Sequence, residues 1–172
     1  MKMPPGIKIG IGYDVHQFMV ERPLVLGGVI IPYHRGLLGH SDADVLLHAI
    51  ADSLLGAAGL GDIGTHFPNT GGEWKDVPST KILAQVFTMI VKEGYRIGNV
   101  DTVIIAEQPK ISPHIPIMKG KISRILMISD GSISIKATTN ERMGFIGREE
   151  GIAAMATSLI YKDDGSFTSS DK

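Results

Sequence analysis

One segment constrains the fold more than any other, because residues 36–64 combine a helical apolar stripe with a cluster of glycines. Leu46, Ile50 and Leu54 recur at helical spacing, so their side chains lie on one face of a predicted helix. Glycines at positions 56, 59, 61 and 64 end this helix near residues 57–58. A helix with one apolar face needs a second layer of structure to cover that face.

Strand-like and helix-like segments alternate along the rest of the chain. The predicted strands are the apolar run 7–11, a hairpin over 23–32 that turns at Gly27-Gly28, a buried strand from 99, and the segment 132–139. The later predicted helices are 80–94 with Ser79 as cap, 112–128 with Ser112 as cap and Pro113 at its first position, and 147–162. Residues 66–79 are a predicted loop.

This interleaving predicts an α+β fold in which a mixed β-sheet carries one layer of helices on one face. We expect a single domain over residues 1–162, followed by a polar, disordered tail over 163–172.

Charge and hydropathy exclude some classes of partner. The 17 basic and 18 acidic residues nearly cancel, so net charge favours neither nucleic acid nor an anionic membrane as partner. No apolar run reaches the roughly 18 residues of a membrane span, and the first residues do not resemble a secretory signal. We therefore expect a cytoplasmic bacterial protein, with the plastid stroma as the second choice.

Six histidines and no cysteine limit any transition-metal site to imidazole and carboxylate ligands. Asp14 and His16 follow the first predicted strand at alternating positions, so they project from the same face at or just beyond its end. The predicted helix begins at Ser41 or Asp42 and places Asp44 and His48 four residues apart on one face.

Two histidines and one carboxylate are a standard ligand set for a catalytic zinc ion. The plain alternative is also open at this point. Asp14 and His16 could form only a hydrogen-bonded pair, and His48 could be a satisfied histidine near the core.

Three further segments carry groups suited to a phosphorylated ligand. Asp62 lies in the glycine-rich turn 59–64, where its carboxylate could accept from sugar hydroxyls. Thr138, Thr139 and Glu141 follow a strand, and their oxygens suit phosphates and a hard cation. Lys110 lies in the segment AEQPKIS, where the strand from 99 stops at a proline, and its ammonium group could contact a phosphate. Each segment also has a structural explanation, as a helix stop, a β-turn or a loop before a helix.

Five ordered blocks of the sequence together resemble the 2-C-methyl-D-erythritol 2,4-cyclodiphosphate synthase family. The blocks are GYDVHQF, PLVLGGVIIP, GLLGHSDADVLLHAIADSLLGAAGLGDIGTHFP, GNVDTVIIAEQPKISPHI and IKATTNERMGFIGREEGIA, and they extend from about residue 9 to 156. The resemblance implies an enzyme of the non-mevalonate isoprenoid pathway, a phosphorus–oxygen lyase. Its substrate is a small cytidine diphosphate, 4-diphosphocytidyl-2-C-methyl-D-erythritol 2-phosphate, whose 2-phosphate attacks the β-phosphorus and releases CMP.

The resemblance also implies metal and catalytic roles. Asp14, His16 and His48 are expected to hold Zn²⁺, and Glu141 to hold Mg²⁺ or Mn²⁺ together with the substrate phosphates. His40 and Thr139 match the groups that stabilise the transition state.

Substrate contacts are implied for a larger set of positions. They are Asp14, Val15, His16, His40, Ser41, Asp44, Asp62, Ile63, Gly64, Phe67, Asn69, Ala106, Pro109, Lys110, Ile111, Thr138, Thr139, Glu141, Phe145 and Arg148. Asp44 has an alternative role, which is to orient a neighbouring ligand. Asn69 and Asn140 depart from the residues usual in the family, and Asn69 should adjust substrate affinity without abolishing activity.

The family resemblance implies a homotrimer with active sites between subunits, and a length of 172 residues leads us to expect only this one domain. Two other functions stay open. One is a zinc-dependent hydrolase of nucleotide diphosphates, and the other is a non-catalytic trimer that binds a prenyl diphosphate in a central cavity.

Overall fold

Seven strands and five helices make up the part of the chain that the computed structural model describes, residues 6–39, 41–68 and 77–162. The strands are β1 (Lys8–Val20), β2 (Leu24–Leu26), β3 (Val29–Ile31), β4 (Arg35–Leu37), β5 (Tyr95–Ile105), β6 (Ile133–Thr138) and β7 (Gly151–Lys162). The helices are α1 (Val45–Ala58), α2 (Ile63–His66), α3 (Ser79–Lys92), α4 (Ile115–Leu126) and α5 (Gly144–Gly147). The predicted tail, 163–172, lies outside the described residues.

Five of the strands form one mixed sheet in the order β4-β1-β7-β5-β6. Only β5 and β6 run parallel, and α4 lies in the crossover between them, while the other three pairings are antiparallel. Strands β2 and β3 form the predicted hairpin, and its turn residues Gly27 and Gly28 both have the positive φ that favours glycine. The predicted α+β fold with a mixed sheet is confirmed.

Helix α1 lies on one face of the sheet, across β1 and β7, while α3 packs against α1 and α4 packs against β6. Gly10 and Gly12 let α1 approach β1 closely. An added Cβ on either glycine would come within 2.0 Å of a carbonyl oxygen of α1. The core therefore lies between the sheet and one helical layer, as predicted.

The prediction of a last helix over 147–162 is wrong. Residue 147 ends the short helix α5, a turn follows, and Gly151–Lys162 form strand β7. The alanines and the two glutamates favour a helix locally. In the structure β7 is the central strand, paired with β1 on one side and β5 on the other. Ile152, Ala154 and Ala156 alternate toward α1 and are buried, so tertiary pairing overrides local propensity.

Three helix starts differ from the prediction. The N-cap of α1 is Asp44, whose carboxylate accepts the Leu47 N–H at 3.1 Å, so Ser41 and Asp42 precede the helix. Ser79 is the first residue of α3 and caps nothing, because its hydroxyl bonds elsewhere.

The predicted helix over 112–128 is divided in two. A 3-10 turn covers Ser112–His114, and α4 begins only at Ile115, so Ser112 and Pro113 belong to the turn. Strand β1 is also longer than the predicted run 7–11, and Asp14 and His16 lie within it.

The face of the sheet opposite the helices is apolar and exposed in the single chain. Ile9, Ile11, Tyr13 and Val15 of β1 alternate with the buried glycines and keep exposed fractions of 67, 67, 52 and 40%. Across the described residues, no helix is long and apolar enough to cross a membrane.

Candidate metal centre and active site

Strand β1 and helix α1 bring Asp14, His16 and His48 together. Asp14 and His16 are two residues apart in β1, so both side chains leave the sheet on the face that α1 covers. Oδ2 of Asp14 lies 2.9 Å from Nε2 of His16 and 2.9 Å from Nδ1 of His48. The two ring nitrogens are 3.2 Å apart. The expectation that these three side chains lie together at one site is thereby confirmed.

The geometry of this group suits a transition-metal ion. Ligands at about 2.0–2.1 Å from a tetrahedral zinc ion are separated from one another by roughly 3.3 Å. The three observed separations, 2.9, 2.9 and 3.2 Å, are close to that spacing. One carboxylate and two imidazoles leave a fourth position for another ligand. The site could therefore hold a metal ion of the kind predicted.

Neighbouring groups orient both histidines. Nδ1 of His16 donates to the carbonyl oxygen of Leu38 at 2.8 Å, which leaves Nε2 free to bind a metal. Nε2 of His48 lies 2.9 Å from Oγ of Ser79, and that hydroxyl donates to Oδ1 of Asp42 at 2.5 Å.

The charges of the group reinforce one another. Burial alone would raise the pKa of Asp14, but hydrogen bonds and positive charge from His16 and His48 outweigh it and hold that pKa well below its ordinary value. Burial alone would lower the pKa of His48, and the Asp14 carboxylate outweighs this and raises it. A cation is thus favoured at this position, in the form of either protons or a metal ion.

Asp44 does not face the metal group. It is fully buried, and its carboxylate accepts from the backbone N–H of Gly27 at 2.9 Å and of Gly28 at 2.6 Å. The same oxygen that binds Gly27 also caps α1 through the N–H of Leu47. Asp44 therefore ties the turn of the β2–β3 hairpin to the start of α1, in place of the predicted contact with substrate.

The turn after β6 presents Thr139 and Glu141 from an unusual backbone. Glu141 and Arg142 have φ of 51° and 61°, so two successive non-glycine residues are left-handed. Oε1 of Glu107 accepts from the N–H of Asn140 at 2.9 Å and of Arg142 at 3.0 Å, which fixes this conformation. The Thr139 hydroxyl donates to Oε1 of Glu141 at 3.2 Å, and both side chains are exposed.

A cavity of about 390 Å³ lies between the loop after β5 and the end of β6. It is lined by residues 106–112 and 137–139. The loop is tied to the strand by the Ala106 N–H, which donates to the carbonyl of Thr138 at 3.0 Å. Ala106, Pro109, Lys110 and Ile111, which are predicted to contact the substrate, thus share one cavity with Thr138 and Thr139.

The sequence model of the YgbB family matches residues 7–161, which include every residue of the metal group and of the turn after β6. The chain belongs to the YgbB family. This finding confirms the resemblance drawn from the five sequence blocks, since relatives in the family carry the synthase name.

Individual YgbB relatives match over nearly their whole length or over one distinct part. The 2-C-methyl-D-erythritol 2,4-cyclodiphosphate synthase of Symbiobacterium thermophilum is 59% identical over 88% of this chain and 97% of its own length. A solved Plasmodium falciparum IspF complex with CDP is 40% identical, with a TM-score of 0.82. That match covers 94% of this chain and 100% of the Plasmodium chain. The bifunctional IspDF of Campylobacter jejuni is 39% identical with a TM-score of 0.91, over 95% of this chain and 44% of the longer protein.

The remaining predicted site residues of this YgbB chain lie in three places. Asp62 caps α2, where Oδ1 accepts from the Thr65 N–H at 2.8 Å and from its hydroxyl at 2.9 Å. Ile63 and Gly64 lie in α2, Phe67 is buried just after it, and Val15 is exposed on the open face of β1. Phe145 lies in α5, and the exposed Arg148 pairs with Glu150 at 2.7 Å. His40 and Asn69 lie outside the described residues.

Three residues of the site were not singled out from the sequence. The sequence predicts Ser79 as a helix cap and Ser41 or Asp42 as the start of another helix, and it predicts no role for Glu107. All three act through other residues, so their partners became visible only in the folded chain. The available signals in the sequence are Asp42 in HSDAD and Ser79, which follows Pro78.

Proposed function

We propose that this YgbB-family chain is a 2-C-methyl-D-erythritol 2,4-cyclodiphosphate synthase of the isoprenoid pathway. The observation that carries the proposal is the triangle of Asp14 Oδ2, His16 Nε2 and His48 Nδ1, with separations of 2.9–3.2 Å. A relative that is 59% identical over 88% of the chain bears this name. The reaction needs a site that neutralises and aligns phosphates, and this group fits that need.

The reaction is an intramolecular phosphoryl transfer. An oxygen of the substrate's 2-phosphate forms a bond to the β-phosphorus, the bond from that phosphorus to the bridging oxygen breaks, and CMP leaves with the bridging oxygen. No protein nucleophile is required, so the chain's task is to position the reactants and stabilise charge. When bound, zinc supplies Lewis-acid polarisation of a phosphate oxygen and a template for the two phosphates.

The protein's own groups divide the remaining work. Asp14, His16 and His48 would hold zinc, and Glu141 would hold Mg²⁺ or Mn²⁺ beside the substrate's phosphates. We assign Thr139 to the reacting phosphates because its exposed hydroxyl lies 3.2 Å from the Glu141 carboxylate, where both can face one ligand. We retain His40 as the second group that stabilises the transition state, on the family resemblance.

The two ends of the substrate would bind in different parts of the site. The 390 Å³ cavity suits the cytosine end, with Ala106, Pro109 and Ile111 beside the base and Lys110 near phosphate. Residues near the metal group and α2 would face the methylerythritol end. They include Ser41, Asp62, Ile63, Gly64 and Phe67. On the family resemblance alone, we also propose substrate contacts for Val15 and Asn69. Thr138, Phe145 and Arg148 keep their proposed substrate contacts, whereas Asp44 has the structural role described above.

We further propose a homotrimer whose active sites combine two subunits. Asp14 pairs with Ala154 of β7, and Ala154 pairs in turn with Ile104 of β5. Ile104 pairs with Ala137 of β6, so three strand spacings, roughly 14 Å, separate β1 from the strand before Thr139. One diphosphate is shorter than that separation. The turn after β6 would therefore serve the metal group of a neighbouring chain, and the exposed apolar face of β1 would form the contact.

The family match over 7–161 supports our proposal that residues 1–162 form one catalytic domain. The bacterial origin of relatives such as that of Symbiobacterium thermophilum supports the bacterial cytoplasm as its compartment.

Phosphorus NMR of the cytidylylated 2-phosphate substrate, with purified protein and Mg²⁺, tests the proposal. A cyclic diphosphate with an equal amount of CMP should form, and a zinc chelator should stop its formation until zinc is restored. The His16→Ala variant should be inactive, and its control His34→Ala, which removes an exposed histidine of the β3–β4 loop, should retain full activity. A linear phosphate product would instead favour the zinc-dependent hydrolase, and an unchanged substrate would favour a binding protein.

A further inference from the structure

His48 presents one ring nitrogen to the metal group and the other to a buried serine. Nδ1 lies 2.9 Å from Oδ2 of Asp14, and Nε2 lies 2.9 Å from Oγ of Ser79. A nitrogen that binds a metal must carry a free lone pair, so in the metal-bound state the ring proton of His48 has to be on Nε2. The partner of Nε2 must therefore be an acceptor.

Asp42 makes Ser79 that acceptor. A serine hydroxyl has one proton to donate, and an ionised carboxylate can only accept. Oγ of Ser79 lies 2.5 Å from Oδ1 of Asp42, so the hydroxyl proton points to Asp42 and the oxygen lone pairs face His48. Ser41 Oγ is farther away, 3.4 Å from Ser79 Oγ and 3.5 Å from His48 Nε2.

We infer that Asp42 and Ser79 are positioning residues, which select the His48 tautomer whose Nδ1 can bind the zinc ion. The inference rests on the zinc site of the proposed function. In this series of hydrogen bonds, His48 Nε2–H donates to Ser79 Oγ and the Ser79 hydroxyl donates to Asp42. The direction follows because the Asp42 carboxylate can only accept.

The Ser79 side chain has no capping role in the structure. Its side chain is buried at the first position of α3, and it makes no cap for that helix. His16 is held in a matching way from the other side, by the Leu38 carbonyl, which can only accept from Nδ1–H. The two histidines thus bind through opposite nitrogens, each fixed by an acceptor behind the ring. Loss of such a partner lowers metal affinity roughly 10- to 100-fold.

Zinc extraction from the loaded, full-length protein tests the inference without reference to catalysis. A chelator titration should give a zinc dissociation constant roughly 10- to 100-fold higher for Ser79→Ala and Asp42→Ala than for the wild type. Ser123→Ala is the matched control, because Ser123 is another buried helical serine, and its hydroxyl donates only to the Gly120 carbonyl. The control should bind zinc as tightly as the wild type.

A second readout separates positioning from a general loss of stability. In the zinc-loaded wild type, the Nε2 proton of His48 should be protected from solvent exchange and give a resolved signal in nitrogen-15 NMR. That signal should broaden or vanish in Ser79→Ala, and excess zinc should restore most of the variant's activity. Asp42→Ala serves the same purpose if Ser79→Ala fails to fold, because Asp42 is only partly buried.

Unchanged zinc affinity in both variants overturns the inference, as does a wild-type protein that binds no zinc. If the wild type binds zinc and the variants lose it, but the zinc-loaded wild type forms no cyclic diphosphate, the inference stands and the proposed function fails.

Discussion

Gly12 of β1 lies directly against the backbone carbonyl of Ala49 in α1. A Cβ added to Gly12 would come within 2.0 Å of that oxygen, far inside van der Waals contact. Ala49 follows His48, and Gly12 precedes Asp14 on the same face of the strand. The close approach of these two backbones therefore brings the helix ligand within 2.9 Å of the strand ligand.

Gly12→Ala should push α1 away from β1 and so damage both the fold and the metal group. Strain of this kind costs about 3 kcal/mol or more where neither backbone can move. We expect a lower free energy of unfolding in urea at fixed protein concentration, together with weaker zinc binding in a chelator titration.

The control is Gly56→Ala in helix α1, where the new Cβ would meet its nearest neighbour, the Ile11 carbonyl, at 3.9 Å. That control should bind zinc normally and gain up to about 1 kcal/mol from helix propensity. Equal stability and zinc affinity of Gly12→Ala and the wild type would contradict the argument.

Glu107→Ala should disable the turn that carries Glu141. The substitution leaves the N–H groups of Asn140 and Arg142 without their acceptor, and only hydrogen bonds within the turn itself then hold the two left-handed residues. We expect kcat/KM to fall about 10-fold or more, equivalent to roughly 1.4 kcal/mol, and the Mg²⁺ concentration for half-maximal activity to rise. Glu107→Gln keeps one carbonyl oxygen and should recover most of the activity. Zinc affinity should stay unchanged in both variants, and a Glu107→Ala enzyme with a normal Mg²⁺ response would refute the role of this carboxylate.

Ile11→Asp should dissociate the proposed trimer without unfolding the chain. Ile11 is 67% exposed on the open face of β1, so its loss removes nothing from the core of one subunit, while a carboxylate there opposes burial in a contact. Sedimentation velocity should show a monomer, and cyclic diphosphate formation should disappear with the shared site. Ile30→Asp is the control, because Ile30 is 69% exposed but belongs to the separate β2–β3 hairpin. A trimeric Ile11→Asp protein would show that this face is not the interface.

Asp44 should make the stability of the fold depend on pH. Its complete burial raises its pKa to about 6, against the lowering effect of the Gly28 N–H and with a further increase from the charge of Asp42. The folded pKa lies above the unfolded value of 3.8, so the stabilising contribution is fully present below about pH 4 and is lost as the pH rises through 6.

The measurement is the unfolding free energy of the wild type minus that of Asp44→Asn, with a metal chelator present for both. Because asparagine does not titrate, this difference should fall by about 2 kcal/mol between pH 4 and pH 7. A difference that is flat over this interval would show that the three backbone N–H donors keep Asp44 ionised throughout.

Local pattern predicts part of the fold, whereas it leaves a metal site and a hydrogen-bonded pair both open, and the metal ligands follow only from the family resemblance. The stripe Leu46, Ile50 and Leu54 predicted α1, and the Gly27-Gly28 pair predicted the hairpin turn, since both depend on interactions between near neighbours. Alternation in a strand also placed Asp14 and His16 on one face. Strand β7 was predicted as a helix, because its alanines carry helix propensity and its position between β1 and β5 is not a local property.

The chemical groups available to the site are already evident in the sequence: a chain without cysteine, with D-x-H and a second histidine on a helix, in the order typical of the YgbB family. How those groups meet depends on the fold. Gly12 sets the distance between strand and helix, Asp42 and Ser79 turn the His48 ring, and the buried Asp44 is drawn away from the site to bind Gly27 and Gly28. These contacts join residues 16 to 37 positions apart in the chain, and hydrogen bonds and close packing at such separations depend on coordinates that no local sequence pattern encodes.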